Sequence, residues 1–343
     1  MRKLLNTLYV MSEDVYLSLD GENIVILRED ETVGRFPLHT LESIVCFSYK
    51  GASPSLMGAC ASREISLSFY TPRGKFLART TGMSYGNVLL RKEQYRISDD
   101  LVRSAAYARN MILGKVFNCR WSLERTIRDN GMRVNIEHIK EVSQELSEGL
   151  ERIRSCEDLD TLRGIEGELA SRYFYIFDEL IINQKEEFQF RGRNRRPPLD
   201  NINALLSFAY TVLGNECAGA LESVGLDPYV GFLHRDRPGR RSLALDLMEE
   251  LRGIMADRFA LTLINKKIIK GEHFDHQGDG AVLLSEEGRK QFFSAWQQRK
   301  KEFITHPFLN EKIPWGLVPY VQAMLLARTI RGDLDSYPPF LWK

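Results

Sequence analysis

Residues 15–27, VYLSLDGENIVIL, decide how the chain begins. Two runs rich in β-branched and aromatic residues, Val15 to Leu19 and Ile24 to Leu27, lie either side of Asp20-Gly21, a strong hairpin signal. Working outward, Leu8-Tyr9-Val10, Arg35-Phe36-Pro37-Leu38 and Ser43 to Phe47 continue the strand pattern. Ser53 to Ala61 reads as a short helix, Ile65 to Phe69 alternates with period two, and Pro72-Arg73-Gly74 turns the chain into Lys75-Phe76-Leu77-Ala78. The elements predict two small sheets or a sandwich.

After Gly82 the pattern changes to helix. Ser98-Asp99-Asp100 opens a long helical stretch that stops at Asn130-Gly131, with a cap signal at each end. Further helices are expected over 136–156, 158–184 and 200–223, then from Ser242 with a kink at Gly253, after Ser285-Glu286-Glu287, and over 319–331. Residues 271–280, with Gly278-Asp279-Gly280, read as a loop or small hairpin. The fold class is therefore α+β: a β-sandwich-like domain over residues 1–82, a linker over 83–97, a larger all-α domain over 98–336, and a tail over 337–343.

At 343 residues the chain has ample length for two domains, and 43% apolar with 27% charged residues is ordinary for a globular protein. Lys and Arg number 47 against 46 Asp and Glu, so any contact with a polyanion must come from local basic patches. Cys46, Cys60, Cys119, Cys156 and Cys217 lie far apart without a CxxC pair, which excludes a zinc ribbon or a disulfide framework and suits a reduced cytoplasmic protein. The start MRKLLNTLYVMSEDVYL lacks a long apolar core and a small-residue cleavage site, so it is not read as a signal peptide. No apolar run is long enough to span a membrane.

The chemistry gathers in residues 231–258, GFLHRDRPGRRSLALDLMEELRGIMADR. His234 stands in a basic loop, and Asp246, Glu249 and Glu250 follow at i, i+3 and i+4 of a helix, on the face opposite Leu243, Leu247 and Leu251. Crowded carboxylates need a cation or arginines to neutralise them. One imidazole and two carboxylates with open positions suit Mg2+ or Mn2+, whereas salt bridges to Arg235, Arg237, Arg240, Arg241 and Arg252 are the structural alternative. Glu166 lies between Gly164 and Gly167 on a helix, a pattern that suggests close backbone approach by a helix or a ligand, or else a surface glutamate over tight packing. Arg191, Arg193, Arg195 and Arg196, interleaved with Phe188 and Phe190 and stopped by Pro197-Pro198, form the sharpest basic patch and match phosphate contact, with an ordinary basic loop as the alternative. His273 and His276 make an HxxH without a second ligand pair. No P-loop, nucleophile elbow or dinucleotide fingerprint occurs.

Together these segments resemble the CRISPR adaptation integrase family, the Cas protein numbered one. The resemblance is carried by Gly164-Ile165-Glu166-Gly167, by residues 193–198 and 203–208, by 225–234 and by 239–250, and it extends over essentially the whole chain. The ending Tyr337 to Lys343 resembles the type I-C branch, and Gly253 departs from the proline found there in many relatives. The resemblance implies an N-terminal domain that makes a homodimer and a helical divalent-metal endonuclease and integrase. Its metal-binding and catalytic residues fall on Glu166, His234 and Glu249, with Asp246 as an accessory acid. It implies Mg2+ or Mn2+ as cofactor, and attack of the 3′-hydroxyl of a captured DNA fragment on a repeat phosphodiester, or of water on branched DNA. It also implies a heterohexamer with the small companion protein numbered two, and contact with the adaptation nuclease numbered four. Arg237, Arg240, Arg241 and Arg252 are assigned to DNA by proximity alone. An architectural DNA-binding subunit with a degenerate site and a hydrolase of small phosphoesters are the competing classes; the retained Glu166, His234 and Glu249 and the arginine-rich loop speak against them.

Overall fold

In the computed structural model, which describes residues 6–71, 76–80, 82 and 88–343, the chain opens with β1 (Thr7–Val10), β2 (Tyr16–Asp20), β3 (Asn23–Arg28) and β4 (Glu31–Pro37). The hairpin read from the sequence joins β2 to β3, with Tyr16 opposite Leu27 and Asp20 opposite Asn23. Its two-residue loop is Gly21-Glu22, and Gly21 takes φ +58°, a conformation that costs glycine nothing. Strands β2, β3 and β4 form one antiparallel sheet. A second sheet, in the order β1-β5-β6-β7, is built by adding β5 (Ser43–Cys46), β6 (Ser66–Tyr70) and β7 (Phe76–Arg79). Between β5 and β6, α1 (Pro54–Ser62) starts where the Ser53 side chain accepts the Leu56 N–H. Leu17 and Ile24 of one sheet, Ile44 and Leu67 of the other, and Leu56 of α1 share a single fully buried core. The turn expected at Pro72-Arg73-Gly74 and the first five residues lie outside the described residues.

The helical part runs α2 (Val88–Asp99), α3 (Leu101–Asn130), α4 (Ile136–Arg154), α5 (Leu159–Tyr175) and α6 (Asn201–Ser223). It continues through α7 (Ser242–Arg252) and α8 (Arg258–Asn265) to a short ribbon of β8 (Phe274–His276) and β9 (Val282–Leu284). Then come α9 (Glu286–Lys301), a second ribbon of β10 (Phe303–Thr305) and β11 (Lys312–Pro314), and α10 (Val318–Ile330). Asp100, Asn135, Asp158, Asp200 and Ser285 each cap the helix that follows by accepting a backbone N–H with the side chain, which is why these starts were readable. The α+β class is therefore observed.

Five features differ from the sequence reading. The helix expected over 158–184 ends at Tyr175 and is followed by a 3-10 turn, Phe177–Leu180. Residues 88–97, expected as linker, are helical as part of α2; residues 83–87 of that linker lie outside the described residues. At Gly253 the α-helical pattern gives way to a π-helical turn, Gly253–Asp257, where a Cβ on Gly253 would stand 2.9 Å from the Cys119 sulfur. Next, α9 does not belong with the helices that flank it in sequence. The chain divides into two compact units, and the first comprises Met1–Tyr85, Leu284–Glu302 and Pro314–Leu317. The reason lies in the aromatic face of α9, since Phe293 stacks on Tyr9 with centroids 4.2 Å apart and packs on Phe47 at 5.5 Å. Last, the C-terminal tail is core. Tyr337 and Phe340 are fully buried in the second unit, which consists of Gly86–Leu283, Phe303–Ile313 and Val318–Lys343. No helix of the described residues is long and apolar enough to cross a membrane.

Candidate active site

The site is built within the second unit on α7, which is not the amphipathic helix its spacing suggested. Asp246, Glu249 and Glu250 are as buried as Leu243, Leu247 and Leu251. Three ionisable acids in a buried helix are tolerable only if each finds its own donors, and each does. Asp246 accepts the backbone N–H groups of Phe232 (2.6 Å), Leu233 (2.9 Å) and His234 (3.0 Å), and its Oδ1 lies 2.5 Å from His234 Nδ1. Glu249 accepts Lys115 Nζ at 2.6 Å and Arg252 Nη1 at 3.0 Å. Glu250 accepts the Tyr337 hydroxyl, the Phe340 N–H at 2.9 Å and Gln322 Nε2 at 3.2 Å. The crowding that pointed to one shared cation is thus resolved into three separate environments.

Glu249 is the acid turned toward Glu166. Lys115, on α3, bridges them: its ammonium bonds Glu166 Oε1 from α5 and Glu249 Oε2 from α7. Burial opposes ionisation of Glu249, but Arg252, Lys115 and His234 outweigh it and hold the carboxyl below the usual carboxylate range. His234 thus lies near Glu249. Burial pushes Glu250 up to about 7, against the hydrogen bonds from Tyr337, the Phe340 N–H and Gln322. Among the described residues no three His, Cys, Asp or Glu side chains are grouped as a metal cage. Two carboxylates already converge on one cationic group, however, beside an imidazole whose Nδ1 is engaged by a buried carboxylate. That donor chemistry fits a hard divalent ion at Glu166, Glu249 and His234 Nε2.

The glycines of α5 do not mediate tight helix packing. A Cβ on Gly164 or Gly167 would meet no protein atom within 4 Å, so neither glycine is required by close approach of a neighbouring helix; Glu166, on a different face of α5, is the residue that meets α3, through Lys115. Close approach instead falls on Gly231. A Cβ there would stand 2.7 Å from Ser242 Cβ and 2.9 Å from Asp246 Oδ2. The histidine loop is further held by α2, the segment expected as linker. Buried Gln94 donates to the carbonyls of Asp227 (2.8 Å) and Val230 (2.9 Å) and accepts the Asp227 N–H, while Ser98 donates to the Gly231 carbonyl at 2.7 Å. From α5, Arg163 donates two N–H groups to the Leu233 carbonyl at 2.9 and 2.6 Å, tying the helix of Glu166 to the residue before His234.

The arginines divide. Arg252 is buried against Glu249 with its guanidinium 4.6 Å from the Tyr210 ring centre, so its assignment to DNA is replaced by an internal one. Arg193 donates to Asn203 Oδ1 (2.6 Å) and Ser207 Oγ (3.0 Å), and burial lowers its pKa from the usual arginine value. It too is an internal brace, because the polar side chains it needs come from α6. Arg241 bonds Asn215 Oδ1 at 2.5 Å, and Arg240 is half-buried. Arg191, Arg195, Arg196 and Arg237 are exposed. Lys115 was missed by sequence reasoning, yet a signal existed: it falls on the buried stripe of α3, between Ile112 and Cys119. A lysine in register with a helix core is seldom there without an acid to meet it.

Comparison with known proteins takes in nearly the whole chain. Residues 8–298 match the family model described as CRISPR associated protein Cas1. A CRISPR-associated endonuclease Cas1 of Rhodospirillum rubrum is 51% identical over the full length of both chains, and one of Chlorobaculum tepidum is 46% identical, again over the full length of both. Among solved structures, a casposase bound to integration product superposes with a TM-score of 0.83 at 21% identity, covering 98% of this chain and 94% of its own, which shows a shared fold.

Proposed function

Because the chain belongs to the Cas1 family of CRISPR-associated proteins, we propose that it is a divalent-metal DNA endonuclease and integrase of CRISPR adaptation. Its site is formed by Glu166, His234 and Glu249, with Mg2+ or Mn2+ as the ion. The observation that carries this reading is the convergence of Glu166 and Glu249 on one cationic group, next to a histidine held by a buried acid. When bound, the ion supplies Lewis-acid polarisation of a phosphodiester and charge stabilisation of its in-line displacement. The chain's own residues prepare that site. Asp246 accepts a proton on His234 Nδ1, which keeps the Nε2 lone pair outward. Arg252 keeps Glu249 ionised. Gln94, Ser98 and Arg163 hold the histidine loop at a fixed distance from α5.

In the displacement, the 3′-hydroxyl of a captured fragment attacks phosphorus in the CRISPR repeat, and the repeat's own 3′-oxygen leaves. With water as nucleophile the same geometry gives nicking or cleavage of branched DNA. The exposed Arg191, Arg195, Arg196 and Arg237 take the phosphates of the scissile strand. Family membership also supports a homodimer assembled with the small companion protein Cas2, and contact with the nuclease Cas4. The test is Glu166→Ala, His234→Ala and Glu249→Ala, each assayed for Mn2+-dependent cleavage of branched DNA and for duplex binding. Each variant is expected to lose cleavage and retain binding; full cleavage by a homogeneous Glu249→Ala preparation removes that residue from the site.

A further inference from the structure

Lys115 touches both proposed acidic ligands. It comes from the middle of α3, its side chain is only 7% exposed, and its ammonium joins Glu166 of α5 to Glu249 of α7. Two carboxylates that face one point repel, and an ammonium with three donors can bond both at once, while Arg252 supplies a second positive charge to Glu249. Burial of that ammonium is tolerable only while the carboxylates accept it. A divalent ion coordinated by the same oxygens and the ammonium cannot occupy that point together.

We infer that Lys115 is a resident counter-cation of the Glu166–Glu249 pair, which a divalent ion must displace, so that Lys115 sets the affinity of the site for its metal. The inference rests on the reading of Glu166 and Glu249 as ligands. Lys115 acts through those two side chains and is a positioning residue. Its loss removes a competing positive charge, takes from Glu166 the ammonium it bonds and leaves Glu249 with Arg252, so both consequences tighten metal binding.

The test is titration of Mn2+, followed by the electron paramagnetic resonance of the free ion, on the unaltered chain, Lys115→Met and Glu249→Gln. Lys115→Met is expected to bind Mn2+ about tenfold more tightly, to melt lower than the unaltered chain without metal, and to regain that loss when Mn2+ is added. Equal or weaker binding by Lys115→Met, with Glu249→Gln weakened, overturns the role of Lys115 and leaves the ligand assignment standing. Undiminished binding by Glu249→Gln overturns both. Should Lys115→Met fail to fold, amine-reactive labelling of the unaltered chain decides the matter by mass spectrometry. Labelling of Lys115 that rises with Mn2+ supports displacement, and labelling unchanged at saturating Mn2+ refutes it.

Discussion

Asp246→Asn separates two things that one carboxylate does at once. The Asp246 side chain accepts four donors: the N–H groups of Phe232, Leu233 and His234 at 2.6, 2.9 and 3.0 Å, and His234 Nδ1 at 2.5 Å. An asparagine has one acceptor oxygen, and it is best kept facing Phe232 and Leu233, whose N–H groups share Oδ2. Its amide nitrogen then faces the His234 backbone N–H, which loses its acceptor in a buried place at a cost of about 1–3 kcal/mol. The amide also donates to Nδ1, so the imidazole proton moves to Nε2 and the lone pair needed outward is lost. Replacement of a partner that orients a metal-binding histidine typically weakens the metal by about 10- to 100-fold. The variant is therefore expected to fold with a modest loss of stability in denaturant, to bind Mn2+ one to two orders of magnitude more weakly, and to show an Nε2-protonated His234 in its side-chain 15N shifts. Unaltered Mn2+ affinity, with His234 still protonated on Nδ1, refutes the argument.

Two further predictions concern packing and pH. Gly231→Ala places a methyl 2.7 Å from Ser242 Cβ and 2.9 Å from the His234 carbonyl; overpacking of this kind costs about 1–3 kcal/mol, so its unfolding midpoint in urea should fall, and wild-type stability would refute the close approach. Glu250, with its carboxyl pushed up to about 7, holds its proton more tightly in the fold than in the unfolded chain. Its contribution is fully present below the ordinary carboxylate range and is lost as pH rises through about 7. Thermal unfolding across that range should show a decline that is smaller in Glu250→Gln, and parallel profiles for the two proteins would show that Glu250 does not titrate there.

What could be read from the sequence was local. The Asp20-Gly21 hairpin and the capped starts at Asp100, Asp158 and Ser285 depend on neighbours within four residues, and all are present. Relations between distant segments were not readable. Phe292, Phe293 and Trp296 look like any helix face, and only Tyr9 and Phe47 reveal which core they enter. Tyr337 to Lys343 reads as a tail until its polar partners are seen on three other helices: Asn118 holds the Phe340 carbonyl and the Trp342 N–H, Glu250 the Phe340 N–H, and Gln322 the Tyr337 hydroxyl. The spacing of Asp246, Glu249 and Glu250 on α7 was visible, but a face opposite leucines was the wrong inference, because a helix buried on every side needs donors on every side. Glycine was misread for the same reason. Gly164 and Gly167 border open space, whereas the close contact falls on Gly231, whose neighbours Ser242 and Asp246 lie eleven and fifteen positions away.

The central claim is that Glu166, His234 and Glu249 hold one divalent ion, and anomalous scattering from crystals grown with Mn2+ tests it most directly. The account predicts a single strong peak bonded to the carboxylates of Glu166 and Glu249 and to His234 Nε2, with the Lys115 ammonium moved off both acids. A fully occupied Mn2+ site elsewhere in the chain, with Lys115 still bridging Glu166 and Glu249, would contradict it.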